Sequence, residues 1–131
     1  MVLTRSELSD LLTDNLAMFE AHLESGVITW ASRAMEAMFG YTIAGELEGK
    51  AVEDLIPVEL RQKHADTHRP EFVVNPSVRL MGKSLALRGL RRDGSEFPLE
   101  TMLLPKAVSG RRVVVGIMLD LTGRLPRRTQ P

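Results

Sequence analysis

Three residues on one short stretch, His64, Asp66 and His68, carry the side chains best suited to chemistry in this chain. Two imidazoles four residues apart share one face of a helix, a spacing that can chelate a divalent metal. Asp66 falls on another side of that helix and no third ligand accompanies the pair, so two partly exposed histidines are the simpler reading. His64 is the sharper of the two, because neutral imidazole also suits iron. Thr101 is a further candidate: its hydroxyl lies among apolar residues, to be met either by a ligand or by a neighbouring group.

The chain has no cysteine. That excludes disulfides, thiolate metal sites, cysteine nucleophiles and any cofactor attached through sulfur. It holds no Gly-x-Ser-x-Gly, no His-Glu-x-x-His and no phosphate-binding glycine loop, so the sequence does not read as an enzyme. Seventeen basic residues balance seventeen acidic ones, leaving no net field to draw nucleic acid or an anionic membrane. With 131 residues, 44% of them apolar and 26% charged, the expectation is one globular domain with a real core. No apolar run approaches the length of a membrane-spanning helix and no signal peptide is evident, so the expected location is cytoplasmic.

The elements that must position these residues follow from local pattern. Thr4 and Glu7 have capping-box spacing, Leu3 can staple onto Leu8, and Leu8, Leu11 and Leu12 form a stripe at helical spacing. Residues 1–15 therefore read as an N-terminal helix. Phe19, Ala21 and Leu23 alternate with Glu20 and His22, and a turn at Glu24-Ser25-Gly26 leads to Val27-Ile28-Thr29-Trp30, a first hairpin. Ser32 suits the N-cap of a helix from Arg33 to Phe39, with Gly40 at its C-terminal end. Val52 to Ile56 reads as a short helix, and Pro57 as the first position of the next, which carries Leu60, His64 and His68. Pro70 is expected to end that helix, leaving Phe72 to Leu80 as a loop. Three strands follow, Lys83–Arg92, Ser95–Leu104 and Arg112–Leu119. They are joined by Asp93-Gly94, read as a type I′ turn, and by Ser109-Gly110. Strands segregated from helices give an α+β domain. The tail after Arg124, residues 125–131, reads as disordered.

In this order the motifs resemble a PAS domain. Thr29-Trp30-Ala31-Ser32 leads into Met38-Phe39-Gly40-Tyr41, and Glu46-Leu47-Glu48-Gly49-Lys50 follows. Leu55-Ile56-Pro57 then precedes Arg61-Gln62-Lys63-His64, and Arg92-Asp93-Gly94-Ser95-x-Phe97-Pro98-x-Glu100 precedes Asp120-Leu121-Thr122-x-Arg124. The likeness spans about residues 16–124 and departs at Ser32, where the family usually has asparagine. It implies a five-stranded antiparallel sheet with short helices folded over one face to enclose a small-molecule pocket. It also implies dimerisation through the outer sheet face, and an output in a kinase, cyclase or transcription factor.

Strand alternation places Phe97, Leu99, Thr101 and Leu103 together, and family register adds Val114, Gly116 and Met118 to the inward set. Leu85 and Leu87 complete the expected pocket. Gly116 leaves room either for a ligand or for close packing. Val115, Ile117 and Leu119 then form an outer apolar face that needs a cover, expected from the Leu8, Leu11, Leu12 stripe of the same subunit or of its dimer mate. The several methionines, Met81 and Met118 among them, read as core filler or as an adaptable pocket. Arg91-Arg92 and Arg111-Arg112 read as solvated loop arginines.

The resemblance also implies that His64, in an Arg-x-x-His context, matches the proximal iron ligand of haem-binding PAS oxygen sensors. Some of those relatives have an arginine where this chain has Leu85, and others a methionine where it has Lys83. The lack of cysteine excludes the flavin chemistry of light-oxygen-voltage domains and thioester chromophores. Asp120 and Thr122 match the family's Asp-x-Thr, which ties the last strand to the output. Pro126 and the short remainder point to an output in another chain. The expected function is a homodimeric PAS module that binds a small ligand or a partner protein and signals in trans. The alternatives are a haem b gas or redox sensor using His64, and a ligand-free dimerisation scaffold.

Overall fold

The computed structural model describes residues 2–81 and 87–123. Leu85, Lys83, Arg124 and the tail lie outside the described residues. Strands β1 (Met18–His22), β2 (Ile28–Ala31), β3 (Arg79–Met81), β4 (Arg88–Leu90), β5 (Glu96–Val108) and β6 (Arg111–Asp120) form one antiparallel sheet in the order β2-β1-β6-β5-β3. The outermost lane is shared: β3 pairs with Thr101–Leu103 and β4 with Glu96–Pro98, both on the same edge of β5. Helices α1 (Arg5–Asn15), α2 (Arg33–Met38), α3 (Val58–Lys63) and α4 (Arg69–Val74) complete the α+β PAS fold, with a 3₁₀ turn at Val52–Leu55.

Capping chemistry starts the first two helices where the side chains dictate. Thr4 and Glu7 make the reciprocal capping box of α1. Ser32 caps α2 by accepting from the Met35 N–H at 3.1 Å; it also accepts from the Met18 N–H at 3.0 Å and donates to the Leu16 carbonyl at 2.7 Å. One buried hydroxyl therefore fixes both the start of α2 and its seat against β1.

Two turns exchange their expected chemistry. At Asp93-Gly94 only the glycine has positive φ, and the Gly94 N–H donates to the Arg91 carbonyl while the Arg91 N–H donates to Ser95. This is a three-residue loop with a glycine bulge, not a type I′ turn. The Asp93 carboxylate accepts from the Ser95 N–H at 2.9 Å, which holds Asp93 out of the left-handed region. The two consecutive positive φ values fall instead at Ser109 (49°) and Gly110 (78°), between β5 and β6.

Pro70 does not end its helix. Between α3 and α4 the backbone widens into a π turn at His64–His68, and the Arg69 N–H reaches the His64 carbonyl five residues back. That widening removes the crowding between the Pro70 ring and the preceding turn, and Pro70 falls in the first turn of α4, where its missing N–H costs little. The helix therefore runs on to Val74, and Phe72, expected in a loop, is a buried helical residue.

Candidate functional site

The cross-strand register builds the floor of a cavity. One row of facing residues on the inner side of the sheet is Phe19, Gly116, Leu103 and Arg79; the next is Met118, Thr101 and Met81. The roof is the continuous helix from α3 to α4 together with the Val52–Leu55 turn. Between them lies a cavity of about 360 Å³, within the size range of small-molecule sites. Leu99, Thr101, Leu103, Val114 and Met118 line it from β5 and β6, Leu87 from the residue before β4, and His64 from the roof.

Two of the expected pocket residues sit elsewhere. A Cβ at Gly116 would lie 2.1 Å from Cε1 of Phe19, so the aromatic ring occupies that space and the glycine serves close packing. Phe97 is buried against Phe39, ring centroids 5.1 Å apart and edge to face, in the core beside the cavity.

Thr101 is 4% exposed, and its Oγ1 has no hydrogen-bond partner among the described residues. Its neighbours in the row are Met118 and Met81, whose thioethers are weak acceptors. An unsatisfied buried hydroxyl costs about 1–3 kcal/mol. Of the two readings open to Thr101, satisfaction by a neighbour is absent among the described residues.

Pattern reading missed the group that holds the roof. Glu53, on the 3₁₀ turn and 8% exposed, places its Oε2 2.6 Å from His64 Nδ1 and accepts from Arg69 Nε at 3.0 Å. Arg69 in turn donates to the Glu24 carbonyl at 2.8 Å, on the β1–β2 turn. The available signal was the acid pair Glu53-Asp54 set between Val52 and Leu55-Ile56. Burial pushes the Glu53 carboxyl up, but hydrogen bonds and charge from Arg69 and His64 outweigh it and hold it below the usual carboxylate range. The His64 and His68 rings lie 6.1 Å apart. No three His, Asp or Glu side chains come together as a metal site among the described residues.

Arg91 is not the solvated loop residue expected of it. Its guanidinium lies 4.1 Å from the Phe97 ring centre, donates to the Met38 carbonyl at 3.3 Å and pairs with Asp120 at 3.0 Å. Asp120 also accepts from the backbone and hydroxyl of Thr122. Burial raises the Asp120 carboxyl, while the Thr122 bonds and the Arg91 charge bring it below its ordinary value. Arg92 pairs with Glu46 at 3.1 Å and Arg112 with Glu24 at 2.5 Å.

On the opposite sheet face Met18, Ile117, Met102 and Leu80 form a facing row, and Trp30, Val115 and Leu119 lie on the same side. Helix α1 does not cover this face within the chain. It sits beside α2, tied by Asp14 to Arg33 at 2.5 Å. Leu8, Leu11 and Leu12 stay 47–49% exposed and Leu119 41%.

A sheet with helices over one face and a cavity between them is the architecture of a sensory domain. The PAS domain profile matches residues 15–123. The chain belongs to the PAS domain family. It is 30% identical over 108 residues to an uncharacterised protein of Azorhizobium caulinodans, covering 80% of this chain and 14% of that protein. It is 28% identical over 113 residues to the sensor protein FixL of Bradyrhizobium diazoefficiens, covering 85% and 21%. The chain thus spans about a fifth or less of the length of these curated relatives. The PAS domain of an HTR-like protein from Haloarcula marismortui superposes with a TM-score of 0.62 at 22% identity, covering 88% and 90% of the two chains. A PAS domain from Colwellia psychrerythraea superposes with a TM-score of 0.67 at 22% identity, covering 92% and 96%. No helix among the described residues is long and apolar enough to cross a membrane.

Both depressed carboxylates make the fold acid-sensitive. Each has a folded value below its unfolded value of about 4, so the native state binds fewer protons in that window. Their contribution is present above the unfolded value and is lost as pH falls through the folded one. Urea unfolding should therefore show stability declining below about pH 5, with a shallower decline in Glu53→Gln and Asp120→Asn. An unchanged acid limb in both variants would contradict this account.

Proposed function

We propose that this PAS domain is a sensory or regulatory module that holds a small ligand in the cavity between the sheet and helices α3–α4. The observation that carries the reading is the buried hydroxyl of Thr101, without a partner among the described residues, in the strand wall it shares with Leu99, Leu103, Val114 and Met118. A ligand-free scaffold would fill this space with side chains and leave no orphan polar atom. Nile red, a neutral apolar dye, should bind one per chain with saturable fluorescence. Leu103→Trp should weaken it about tenfold while circular dichroism stays native. Unchanged binding in that folded variant would remove the cavity as the site.

The proposed output runs through dimerisation and a partner protein in trans. The outer row Met18, Ile117, Met102 and Leu80, left open within one chain, matches the exposed leucines of α1 in character, so α1 of a second copy is the proposed cover. Asp120 and Thr122, joined to Arg91, are the proposed coupling point at the end of β6. Replacing Leu8, Leu11 and Leu12 by glutamine should convert a dimer to monomer in sedimentation velocity. A dimer that survives the change places the interface elsewhere.

A haem b reading is favoured by one observation: His64 lines the cavity with its Nδ1 held by Glu53, the carboxylate–imidazole pairing that accompanies metal-ligating histidines. His64 would then hold the iron, which when bound supplies gas binding or one-electron chemistry. The apolar wall from Leu99 to Met118 would seat the ring. Protein purified from haem-supplied cells should show a Soret band that disappears in His64→Ala. A colourless wild-type protein after reconstitution would end this reading.

A further inference from the structure

The charge on the cavity wall has a single sign. Among the described residues Lys63, Arg69, Arg79 and Arg88 line it and no Asp or Glu does, although the chain as a whole balances its charges. Two of these cations are already paired: Arg69 with Glu53 at 3.0 Å and Arg88 with Glu96 at 3.3 Å. Lys63 and Arg79 have no carboxylate within 4.0 Å among the described residues, although Glu71 lies beside Arg79 in a shallow surface cleft. Arg79 is only partly exposed, with its guanidinium 4.8 Å above the ring of Phe72, itself a buried residue of the cavity wall. That stacking holds a planar fork of donors at the edge of an apolar space, the arrangement that suits a carboxylate.

The position of Thr101 relative to this cation is set by register. Arg79 faces Leu103 and Met81 faces Thr101, so the arginine and the orphan hydroxyl are two residues apart on the same face. Two residues along a strand are about 7 Å. A ligand that meets both therefore carries an anionic group at one end and a hydrogen-bonding group a few carbons along, with apolar atoms between and beyond.

Building on the ligand-binding reading above, we propose that the cavity takes a carboxylic acid with an apolar body and a hydroxyl or carbonyl partway along it. The carboxylate faces Arg79 and Lys63, the polar group meets Thr101 Oγ1, and the body lies on Leu99, Leu103, Val114 and Met118.

The test is displacement of bound Nile red by decanoate, methyl decanoate and 5-hydroxydecanoate. Decanoate should displace the dye at a concentration about tenfold lower than its methyl ester. Raising the salt concentration should shrink that advantage, and the folded double variant Lys63→Gln, Arg79→Gln should abolish it. 5-Hydroxydecanoate should outcompete decanoate by about fivefold, and Thr101→Val should remove that margin. Equal displacement by acid and ester overturns the proposal and leaves the cavity standing as a neutral apolar site. Failure of every acid against a dye that does bind overturns it as well. If the dye does not bind at all, the ligand-binding reading falls and this inference falls with it.

Discussion

One buried carboxylate sets the shape of the cavity. Glu53 sits on a short 3₁₀ turn and gathers His64 and Arg69 from the helix above it, while Arg69 reaches on to the β1–β2 turn. A carboxylate taken out of water is tolerated only when its oxygens are paired, so the turn, the helix and the sheet edge must arrive together. The π turn belongs to the same constraint. It opens at His64 and ends just before Arg69, so Glu53's two partners sit at its two ends, and it lets the chain pass Pro70 without breaking. Without that continuity Phe72 would not be held in the cavity wall.

The floor depends on a different economy of space. Phe19 lies over Gly116, which lets β1 and β6 stay paired with a large ring on the inner face. Beyond that ring the side chains become long and flexible, Met118 and Met81 to either side of Thr101, and the cavity opens. Close packing at one end and methionine at the other make a wall that is rigid where strands must pair and adaptable where a ligand would sit. At the far end of β5 and β6 the Arg91 stack joins the core ring Phe97, the end of α2 and Asp120. Core packing and the exit of the last strand are thereby one structure.

Much of this is legible in the sequence. Alternation on β5 identified Leu99, Thr101 and Leu103 as inward because a strand's side chains have period two and the acids Glu96 and Glu100 mark its other face. The caps at Thr4 and Ser32 were legible because they need only a hydroxyl at a helix start. The failures share a cause. Asp93-Gly94 has type I′ composition, yet its loop length and the Asp93–Ser95 bond select a bulge. Pro70 has the local character of a helix stop, yet a change of helical pitch absorbs it. Arg91 has the look of a loop cation, yet Phe97 and Asp120, 6 and 29 residues away, both converge on it.

The sequence by itself determined the α+β class, the PAS family, the inward face of β5 and the exclusion of cysteine chemistry, since each rests on local periodicity, composition or motif order; it missed α4 and β3, which lie where a loop was expected. Only the tertiary structure decided that Gly116 is filled by Phe19, that Thr101 lacks a partner among the described residues, and that Glu53 binds the roof. It alone also decided that α1 leaves the outer face open and that the described lining of the cavity holds cations but no Asp or Glu. Those are statements about which groups meet across the fold. A hydroxyl or a charge has the same identity in the sequence whether it is satisfied or not; its energy depends on its neighbours, and folding chooses them.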